Sequence, residues 1–474
     1  MVVGDVTTGT DVLVIGAGPG GYVAAIRAAQ LDLDVTLVEK EAYGGTCLNH
    51  GCIPSKALIS ATDRAQRARE GEHMGVHADP AIDMQGMVAW KDEVVDQLTG
   101  GVEKLCKGNG VNLMEGTAEF ASEDTVRVAH GGEGQGSESV EFEHAIVATG
   151  SRPVEVPGFE FDGEHVLSSR AALALDSVPD ELVVVGGGYI GMELSTVFAK
   201  AGSDVTVVEM LDEILPGYEA DVTRVVKKRA EELGIDFHTG ERAQGWERAS
   251  DGITVRTEDE DGAVSEFGAE KVLVAVGREP VTDTLSLSAA GVETADDGTI
   301  PTDDRARTEN ERVFAVGDVA GEPMLAHKAM TEGHVAAEVI AGEPSALDYQ
   351  AVPAAVFTDP EIGTVGLTEA EAEEAGFEPA VGKMPLRANG RALTLGEDEG
   401  FVRVVADAES EFVLGAQIVA PEASELVAEV GLAIEMGATL EDLVGTVHTH
   451  PTLSEAVFEA AANARGEAIH TLNR

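Results

Sequence analysis

Two segments of the chain carry the same succession of apolar, glycine-rich and polar positions. In each, a short apolar run, residues 12–15 or 182–185, passes through several glycines into a helix-forming stretch. A second apolar run follows, residues 35–38 or 205–208, and ends in a glutamate. This succession predicts a strand, a tight turn, a helix and a second strand in both copies. The sequence therefore predicts two α/β units of one architecture.

Further apolar runs extend this pattern. Buried strands that end in glycine are predicted at 145–150 and 272–277, and a short strand at 313–316 brings Gly317 and Asp318 to a turn. The character changes near residue 350, after which strands and helices mix as in an α+β domain. The other predicted elements are helices at 21–30, 91–107, 422–436, 454–465 and from the second glycine turn through 200, strands at 353–368, 400–406 and 411–419, a polar loop at 130–139 and an exposed hairpin at 250–268.

The charge changes the picture of the surface. The chain has 32 Lys and Arg against 86 Asp and Glu, so its formal net charge is −54. The acids are spread along the whole chain and 43% of residues are hydrophobic, which argues against a disordered acidic tail. Such a surface repels itself in dilute buffer, whereas molar salt shortens the Debye length to ~3 Å. We expect a folded protein of a halophile, with neither nucleic acid nor an anionic membrane as partner.

Length and hydropathy set the broad class. A chain of 474 residues is expected to form two to four domains. Its apolar runs are shorter than the roughly 20 residues of a membrane helix. Residues 1–10 lack the basic flank and apolar stretch of a signal peptide, so the cytoplasm is the expected location.

The repeated glycines have the spacing of a dinucleotide-binding turn. The first glycine makes the turn, the second lets the backbone approach a pyrophosphate, and the third allows close packing of helix and strand. The acid, 23 residues after the first glycine in both copies, would accept hydrogen bonds from a ribose. Glu209 would repel a 2′-phosphate and Met210 offers no cation for one, which favours NAD over NADP. The residues concerned are Gly16, Gly18, Gly21 and Glu39 in the first copy, and Gly186, Gly188, Gly191 and Glu209 in the second.

Two cysteines follow the first copy. Cys47 and Cys52 lie in the segment 44–56, which opens with paired glycines, and the chain has only one other cysteine, Cys106. Zinc ligands usually lie two to four residues apart and need further ligands nearby, so no metal site is expected. One pair is not a disulfide framework either. The interpretation we favour is a disulfide that opens and closes during turnover.

These motifs together resemble the flavin-dependent pyridine nucleotide–disulfide oxidoreductases. The match includes the segment 47–56, both glycine motifs, Gly317-Asp318 and the segment 448–455, and it covers nearly the whole chain in family order. Within the family the pattern is most similar to members that oxidise dihydrolipoamide with NAD⁺. The resemblance implies a homodimer with shared active sites and an α/β fold of two Rossmann-like domains plus an α+β dimerisation domain. The implied domains are 1–150 (FAD, first part), 151–278 (NAD), 279–349 (central, completing the FAD site) and 350–474 (interface).

The same resemblance assigns cofactor contacts. Lys56 is expected near the flavin, paired with Glu193, and Asp318 on the ribityl chain, with residues 324–327 running along the flavin. A cation at Lys56 would stabilise negative charge on the reduced flavin. The residues assigned to FAD are Gly16, Gly18, Gly21, Glu39, Lys56, Ala118, Gly150, Asp318 and Ala326, and those assigned to NAD are Gly186, Gly188, Gly191, Glu193, Glu209 and Gly277.

The implied chemistry is dithiol oxidation. A substrate thiol loses its proton to His450 of the other subunit, and the thiolate attacks Cys47. Glu455 orients that histidine. Cys52 passes electrons toward the flavin, and NAD⁺ receives hydride. The sequence leaves open whether the disulfide substrate is free or attached to a carrier domain. It also leaves open the host complex, which is a 2-oxoacid dehydrogenase or a glycine-cleavage complex.

Three alternatives stand beside this interpretation. A glutathione-type reductase usually needs cations for NADP, which Glu209-Met210 argues against. A mercuric reductase carries a C-terminal cysteine pair, which residues 466–474 lack. A non-catalytic FAD-binding assembly subunit would not need Cys47, Cys52, His450 and Glu455. The roles of His448, His50, Tyr189 and Cys106 stay open, with Cys106 expected to be a buried thiol.

Overall fold

The computed structural model of the chain describes residues 7–131, 136–250 and 252–473. Its strands are β1 (Thr7–Ile15), β2 (Val35–Glu39), β3 (Asn112–Glu115), β4 (Thr117–Ser122), β5 (Thr125–Ala129), β6 (Ser137–Val147), β7 (Ser151–Pro153), β8 (Val166–Leu167), β9 (Glu181–Val185), β10 (Asp204–Glu209), β11 (Ile235–Thr239), β12 (Glu241–Ala249), β13 (Gly252–Asp259), β14 (Val264–Ala269), β15 (Lys271–Val274), β16 (Arg278–Pro280), β17 (Val313–Ala315), β18 (Ala354–Val356), β19 (Glu361–Gly366), β20 (Pro379–Pro385), β21 (Phe401–Asp407) and β22 (Val413–Ala420). Its α-helices are α1 (Pro19–Gln30), α2 (Gly45–His50), α3 (Cys52–Glu70), α4 (Met84–Gly108), α5 (Ser169–Ala172), α6 (Tyr189–Ala201), α7 (Ala220–Glu232), α8 (Ala326–Ile340), α9 (Glu369–Glu374), α10 (Gly390–Leu395), α11 (Ala423–Glu435), α12 (Leu440–Gly445) and α13 (Glu455–Ala464). Short 3-10 helices lie at Gly71–Met74, Leu287–Ala290, Gly317–Ala320 and Leu386–Ala388.

The first of two compact units contains residues 1–156, 167–177 and 276–348. Its sheet has the order β3-β2-β1-β6-β5-β4, with β17 also paired to β6. β1, β2, β3, β6 and β17 run parallel, whereas β4 and β5 form antiparallel pairs. Val12 and Val14 are buried on the α1 side of β1, and Leu13 and Ile15 are buried on the opposite side. Because both faces of β1 are covered at these positions, its residues 12–15 form a continuous apolar run in the sequence.

The second unit contains residues 157–166, 178–275 and 349–474. β11, β10, β9 and β15 form a parallel sheet in that order, and β12, β13 and β14 form a separate antiparallel sheet. The C-terminal part is an antiparallel sheet, β18-β19-β22-β21-β20. Residues of α11, α12 and α13 pack with this sheet into one apolar core. The predicted α/β class, with two parallel-sheet dinucleotide folds and an α+β region, is confirmed.

Several predicted elements change in extent. The helix predicted to include residues 91–107 is α4, which extends from Met84 to Gly108, and the Asp83 carboxylate caps its N-terminus by accepting a hydrogen bond from the Gly86 N–H. The strand predicted over 353–368 is split by residues 357–360, where Pro360 lacks an N–H for the ladder. Of the polar loop at 130–139, residues 132–135 lie outside the described residues, and β6 already begins at Ser137.

In the C-terminal part, β20, α9, α10 and α12 are among the elements that were not predicted. β20 begins and ends with proline and contains Gly382, and because proline and glycine are depleted in strands, this composition does not predict one. Gly382 is required because a Cβ there would lie 1.9 Å from the Ala460 carbonyl oxygen of α13. Among the described helices none is both long and apolar enough to cross a membrane.

Candidate active site

The first glycine motif forms the turn between β1 and α1. Gly16 has φ +100°, and a Cβ there would lie 2.4 Å from the Ala148 carbonyl oxygen. A Cβ on Gly21 would lie 1.8 Å from the Gly16 carbonyl oxygen, so the helix passes directly against the turn. Gly18 is the N-cap of α1, where unpaired N–H groups and the positive helix end favour a phosphate.

The second motif repeats this backbone between β9 and α6. Gly186 has φ +106°, and a Cβ on Gly191 would lie 2.0 Å from the Gly186 carbonyl oxygen. Gly188 is the N-cap of α6, and apart from its two chain neighbours no described residue has an atom within 4 Å of the position its Cβ would occupy. The missing side chain thus leaves space at the helix end for a bound group.

The two acids make identical contacts. Glu39 accepts hydrogen bonds from the N–H groups of Ala17 and Glu41, both at 2.7 Å. Glu209 accepts them from Gly187 at 2.7 Å and Leu211 at 2.9 Å. Each carboxylate oxygen keeps a lone pair, so a ribose hydroxyl can still donate to it. Both turns therefore fit the adenosine half of a dinucleotide such as FAD or NAD.

The other residues predicted to hold FAD lie in the first unit. Ala118 is buried in β4, Gly150 (φ +68°) follows β6, and Ala326 begins α8. The Asp318 carboxylate accepts a hydrogen bond from the Ser151 hydroxyl, whose oxygen accepts one from Arg278 Nε at 2.8 Å. Sequence reasoning did not identify Ser151 and Arg278, since nothing local marks their approach to Asp318.

Cys47 and Cys52 lie at the junction of α2 and α3. α2 ends at His50 and α3 begins at Cys52, so Gly51 is the link between them. A Cβ on Gly51 would lie 3.1 Å from the Thr46 carbonyl oxygen, which shows how tightly the chain folds back. Both side chains are thiols in this structure, with Cys47 half-buried and Cys52 exposed.

The two thiols share a hydrogen bond. A hydrogen bond between the Cys47 and Cys52 side chains, together with burial and the charge of a Cys52 thiolate, raises the pKa of Cys47 well above its usual value. The Lys56 ammonium, one helical turn after Cys52, acts in the opposite direction. In the reduced pair Cys47 therefore keeps its proton near neutral pH.

The sequence did not predict the contacts of two side chains near the cysteine pair, Tyr22 and His50. Tyr22 of α1 belongs to the apolar cluster that contains Cys47, and burial followed by the Cys47 charge raises its pKa. His50 lies 3.4 Å from Glu41, which also pairs with Arg170, and burial followed by the Arg170 charge lowers the pKa of His50. His50 is thus neutral near pH 7 and not simply solvent-facing.

Three further predicted residues have defined places. Glu193 is buried in α6, and its Oε1 accepts a hydrogen bond from the Phe357 N–H at 2.9 Å. Gly277 has φ +137° and belongs to the first compact unit. The pairing of Lys56 with Glu193 stays a prediction. Cys106 is fully buried, as expected, and burial raises the pKa of its thiol to about 11.

His450 and Glu455 form a dyad in the second unit. His450 Nδ1 lies 2.9 Å from Glu455 Oε1, and Glu455 Oε2 accepts a hydrogen bond from the Thr452 N–H at 2.8 Å. Burial alone would raise the pKa of Glu455, but the Thr452 N–H and His450 hold it below its usual value. The ionised carboxylate holds the Nδ1 proton, so Nε2 can accept a proton from a substrate. The imidazole is 79% exposed and thus accessible to another molecule.

His448 anchors the segment that bears this dyad. Its Nε2 lies 2.6 Å from Glu429 Oε1 on α11, and its Nδ1 lies 2.9 Å from the Thr446 carbonyl oxygen. The side chain is largely buried, unlike that of His450. His448 therefore helps to fix the conformation of this segment, and its side chain does not face solvent.

Comparison with known proteins places this geometry in a family. Residues 10–333 match the family described as pyridine nucleotide-disulphide oxidoreductase, and residues 352–461 match its dimerisation domain. The chain is 74% identical to dihydrolipoyl dehydrogenase 2 of Haloarcula marismortui, over 99% of this chain and 100% of that protein. It is 71% identical to dihydrolipoyl dehydrogenase of Halobacterium salinarum, over 100% of both. The crystal structure of LpdA from Mycobacterium tuberculosis is similar, with TM-score 0.88 and 29% identity over 95% of this chain and 99% of that one.

These findings confirm the resemblance drawn from the motifs. The first two relatives come from halophilic archaea, in agreement with the expectation from the acidic composition. FAD and NAD are the cofactors of this group of enzymes. The roles assigned to individual residues remain predictions that the geometry fits. The chain belongs to the pyridine nucleotide-disulphide oxidoreductase family.

Proposed function

We propose that the chain is a dihydrolipoyl dehydrogenase, which oxidises dihydrolipoamide to lipoamide and reduces NAD⁺ to NADH. The observation that carries this proposal is the hydrogen-bonded thiol pair Cys47–Cys52, with Lys56 beside it, in the unit that contains the first glycine motif. The dihydrolipoyl dehydrogenases at 74% and 71% identity supply independent support. When bound, FAD supplies the two-electron link between a dithiol and a nicotinamide.

The cysteines perform the exchange with substrate. In the oxidised protein a substrate thiolate attacks Cys47, which breaks the Cys47–Cys52 bond and forms a mixed disulfide. The second substrate thiol displaces Cys47, releases the cyclic disulfide and leaves two reduced cysteines. Two electrons have then passed from substrate to protein, and the raised pKa of Cys47 keeps a proton on that thiol.

His450 receives the proton that the substrate thiol loses. Its Nδ1–H is held by Glu455, which leaves Nε2 as the accepting atom. We place this dyad at the cysteines of a second copy of the chain. Two observations support that placement: the imidazole is 79% exposed, and His450 lies within the 352–461 match to a dimerisation domain.

The second glycine motif is proposed to select NAD⁺. Glu209 is buried and fixed by two backbone N–H groups, so its charge stays where a 2′-phosphate would approach. Met210, next to it, is 56% exposed and cannot bind that phosphate. The same selectivity argues against the NADPH-dependent disulfide reductases.

The wider setting is part of the proposal. We place the enzyme in the cytoplasm as a homodimer, acting on lipoyl groups of a 2-oxoacid dehydrogenase or glycine-cleavage complex. The domain division into 1–150, 151–278, 279–349 and 350–474 belongs to it as well. The dimerisation-domain match supports the dimer.

The decisive experiment is a steady-state assay of the purified flavoprotein in molar KCl. We expect dihydrolipoamide to reduce NAD⁺ far faster than NADP⁺, and Cys52→Ser to abolish turnover. His450→Gln should lower kcat about 10²–10⁴-fold because the general base is lost. His470→Gln is the matched control, since His470 is an exposed histidine that also pairs with a glutamate, Glu459, at 2.6 Å. A flavin-containing protein that is inactive with dihydrolipoamide, or prefers glutathione disulfide and NADPH, would contradict the proposal.

A further inference from the structure

A buried ion pair on α8 lies beside the turn that carries Asp318. Lys328 Nζ is 2.7 Å from Glu332 Oε1, and the two side chains are only 7% and 6% exposed. Neither residue was singled out by the sequence motifs. Charges so far from water are costly unless they are paired and hydrogen-bonded, so the additional partners of this pair show what it does.

Those partners are the two ends of one short segment. Glu332 Oε2 accepts a hydrogen bond from the Gly317 N–H at 2.6 Å, and Lys328 Nζ donates to the Gly321 carbonyl oxygen at 3.2 Å. Between these ends lies the 3-10 helix that contains Asp318. The ion pair therefore joins both flanks of the Asp318 segment to α8.

Backbone geometry makes the segment dependent on α8. Gly317 has φ +79°, and a Cβ there would lie 3.1 Å from the Ala329 Cβ. α8 thus packs directly on Gly317, whose backbone is in the left-handed region, a conformation that residues other than glycine rarely adopt. The hydrogen bond that the Gly317 N–H donates to the buried Glu332 carboxylate holds this conformation in place.

The Asp318 side chain is fixed by a different set of groups. Ser151 donates to its carboxylate, and Arg278 donates to both Ser151 Oγ at 2.8 Å and the Ser151 carbonyl oxygen at 2.7 Å. Ser151 thus orients the carboxylate, whereas the Lys328–Glu332 pair makes hydrogen bonds to the backbone of Gly317 and Gly321, on either side of Asp318. The two functions can be separated by mutation.

We propose that Lys328 and Glu332 are positioning residues that hold residues 317–321 ready for FAD, so that the Asp318 carboxylate meets the ribityl chain in a preformed site. This inference rests on the proposed FAD-binding role of Asp318. A preformed segment avoids the entropic cost of ordering it upon binding, so the pair contributes to FAD affinity without touching the cofactor.

Titration of the apoprotein with FAD in molar KCl, followed by flavin fluorescence, tests this inference. Glu332→Gln keeps the side-chain shape but offers one acceptor oxygen to two donors and leaves the Lys328 ammonium without a counter-charge. We expect the Kd for FAD to rise at least about tenfold. In the double variant K328M/E332Q no buried charge remains and the amide oxygen still accepts from Gly317, so most of the affinity should return.

Glu338→Gln is the matched control on the same helix. Glu338 pairs with Arg27 at 2.5 Å, away from the 317–321 segment, so its loss should leave the Kd within about twofold of wild type. Urea unfolding of each apoprotein reports stability separately. If E332Q does not fold, Lys328→Met, which removes the contact to Gly321 and leaves the Glu332 carboxylate without its counter-charge, should raise the Kd about threefold or more.

The outcomes are distinct. A lower unfolding midpoint with a wild-type Kd in E332Q, or in K328M if that variant replaces it, would overturn the inference and leave the pair merely structural. A wild-type apoprotein that takes up no FAD would overturn the proposed function, and the inference with it. A raised Kd in E332Q, restored in the double variant and absent in E338Q, supports it.

Discussion

The two glycine motifs share a backbone but differ in what lies over them. In both, an acid at the end of the second strand accepts hydrogen bonds from the turn and from the residue two positions beyond. At the first motif the Gly44 N–H donates to the Ala17 carbonyl oxygen at 2.8 Å, and a Cβ on Gly45 would lie 2.5 Å from the Gly18 Cα. The segment that begins with these paired glycines therefore closes over the first motif.

At the second motif a following segment also reaches the turn, where the Leu215 N–H donates to the Gly187 carbonyl oxygen at 2.8 Å, but among the described residues of this unit it does not approach the second glycine, Gly188. The space at Gly188 is open to beyond 4 Å, and Tyr189 and Met210 on either side are 44% and 56% exposed. One turn geometry can thus retain a cofactor or exchange one, depending on the segment that follows the acid. This difference fits FAD as a resident group and NAD as one that enters and leaves.

The largest expected effect comes from Gly45→Ala. Gly45 has φ +59°, where a side chain costs about 1–2 kcal/mol, and the new methyl would force the covering segment away from Gly18. We expect most of the flavin to be lost on purification, measured as the flavin-to-protein absorbance ratio.

Gly188→Ala is the matched change at the open motif. Its methyl meets no described atom within 4 Å and its backbone conformation is permissible, so flavin content and unfolding should stay normal. The KM for NAD⁺ should rise about tenfold, because the methyl occupies the approach of the pyrophosphate. Full flavin in the Gly45 variant, or flavin loss in the Gly188 variant, would refute the closed-versus-open distinction.

A second comparison separates the two acids. Replacing Glu209 by Gln together with Met210 by Arg removes the charge near the ribose and adds a cation for a 2′-phosphate. Since a hydrogen bond to a charged group contributes about 1.5–3 kcal/mol, the preference in kcat/KM for NAD⁺ over NADP⁺ should fall about ten- to hundredfold. Glu39→Gln should lower flavin retention and leave that preference unchanged. A changed preference in the Glu39 variant would mean that the motifs are not independent.

Local features were predictable from sequence, and long-range ones were not. The glycines, both acids and the His450–Glu455 dyad each lie within one short segment, so spacing alone brings them together. The contacts of Asp318 with Ser151 and of Ser151 with Arg278 join positions 167 and 127 residues apart, and no local pattern marks such partners. β20 was not predicted for a related reason. Its Gly382 is needed because α13, which is distant in sequence, packs against it, and no local pattern indicates that contact.

The smallest effect concerns the covering segment itself, which also carries the redox pair. In the reduced protein the hydrogen bond to Cys52, then burial, raises the pKa of Cys47, while Lys56 lowers it. Cys52→Ala removes the leading cause, so the pKa of Cys47 should fall toward the usual thiol value of about 8.5. The pH midpoint of Cys47 alkylation, followed by mass spectrometry, should therefore move to lower pH than in reduced wild type.

Adding Lys56→Met to this variant should move the midpoint back to higher pH, since the cation that favours the Cys47 thiolate is gone. Cys106, with a pKa of about 11 from burial, serves as the internal control and should stay unmodified near neutral pH in every variant. Equal midpoints in wild type and C52A would show that the hydrogen bond to Cys52 does not raise the pKa of Cys47, and the covering segment would then act only by closing over the first motif.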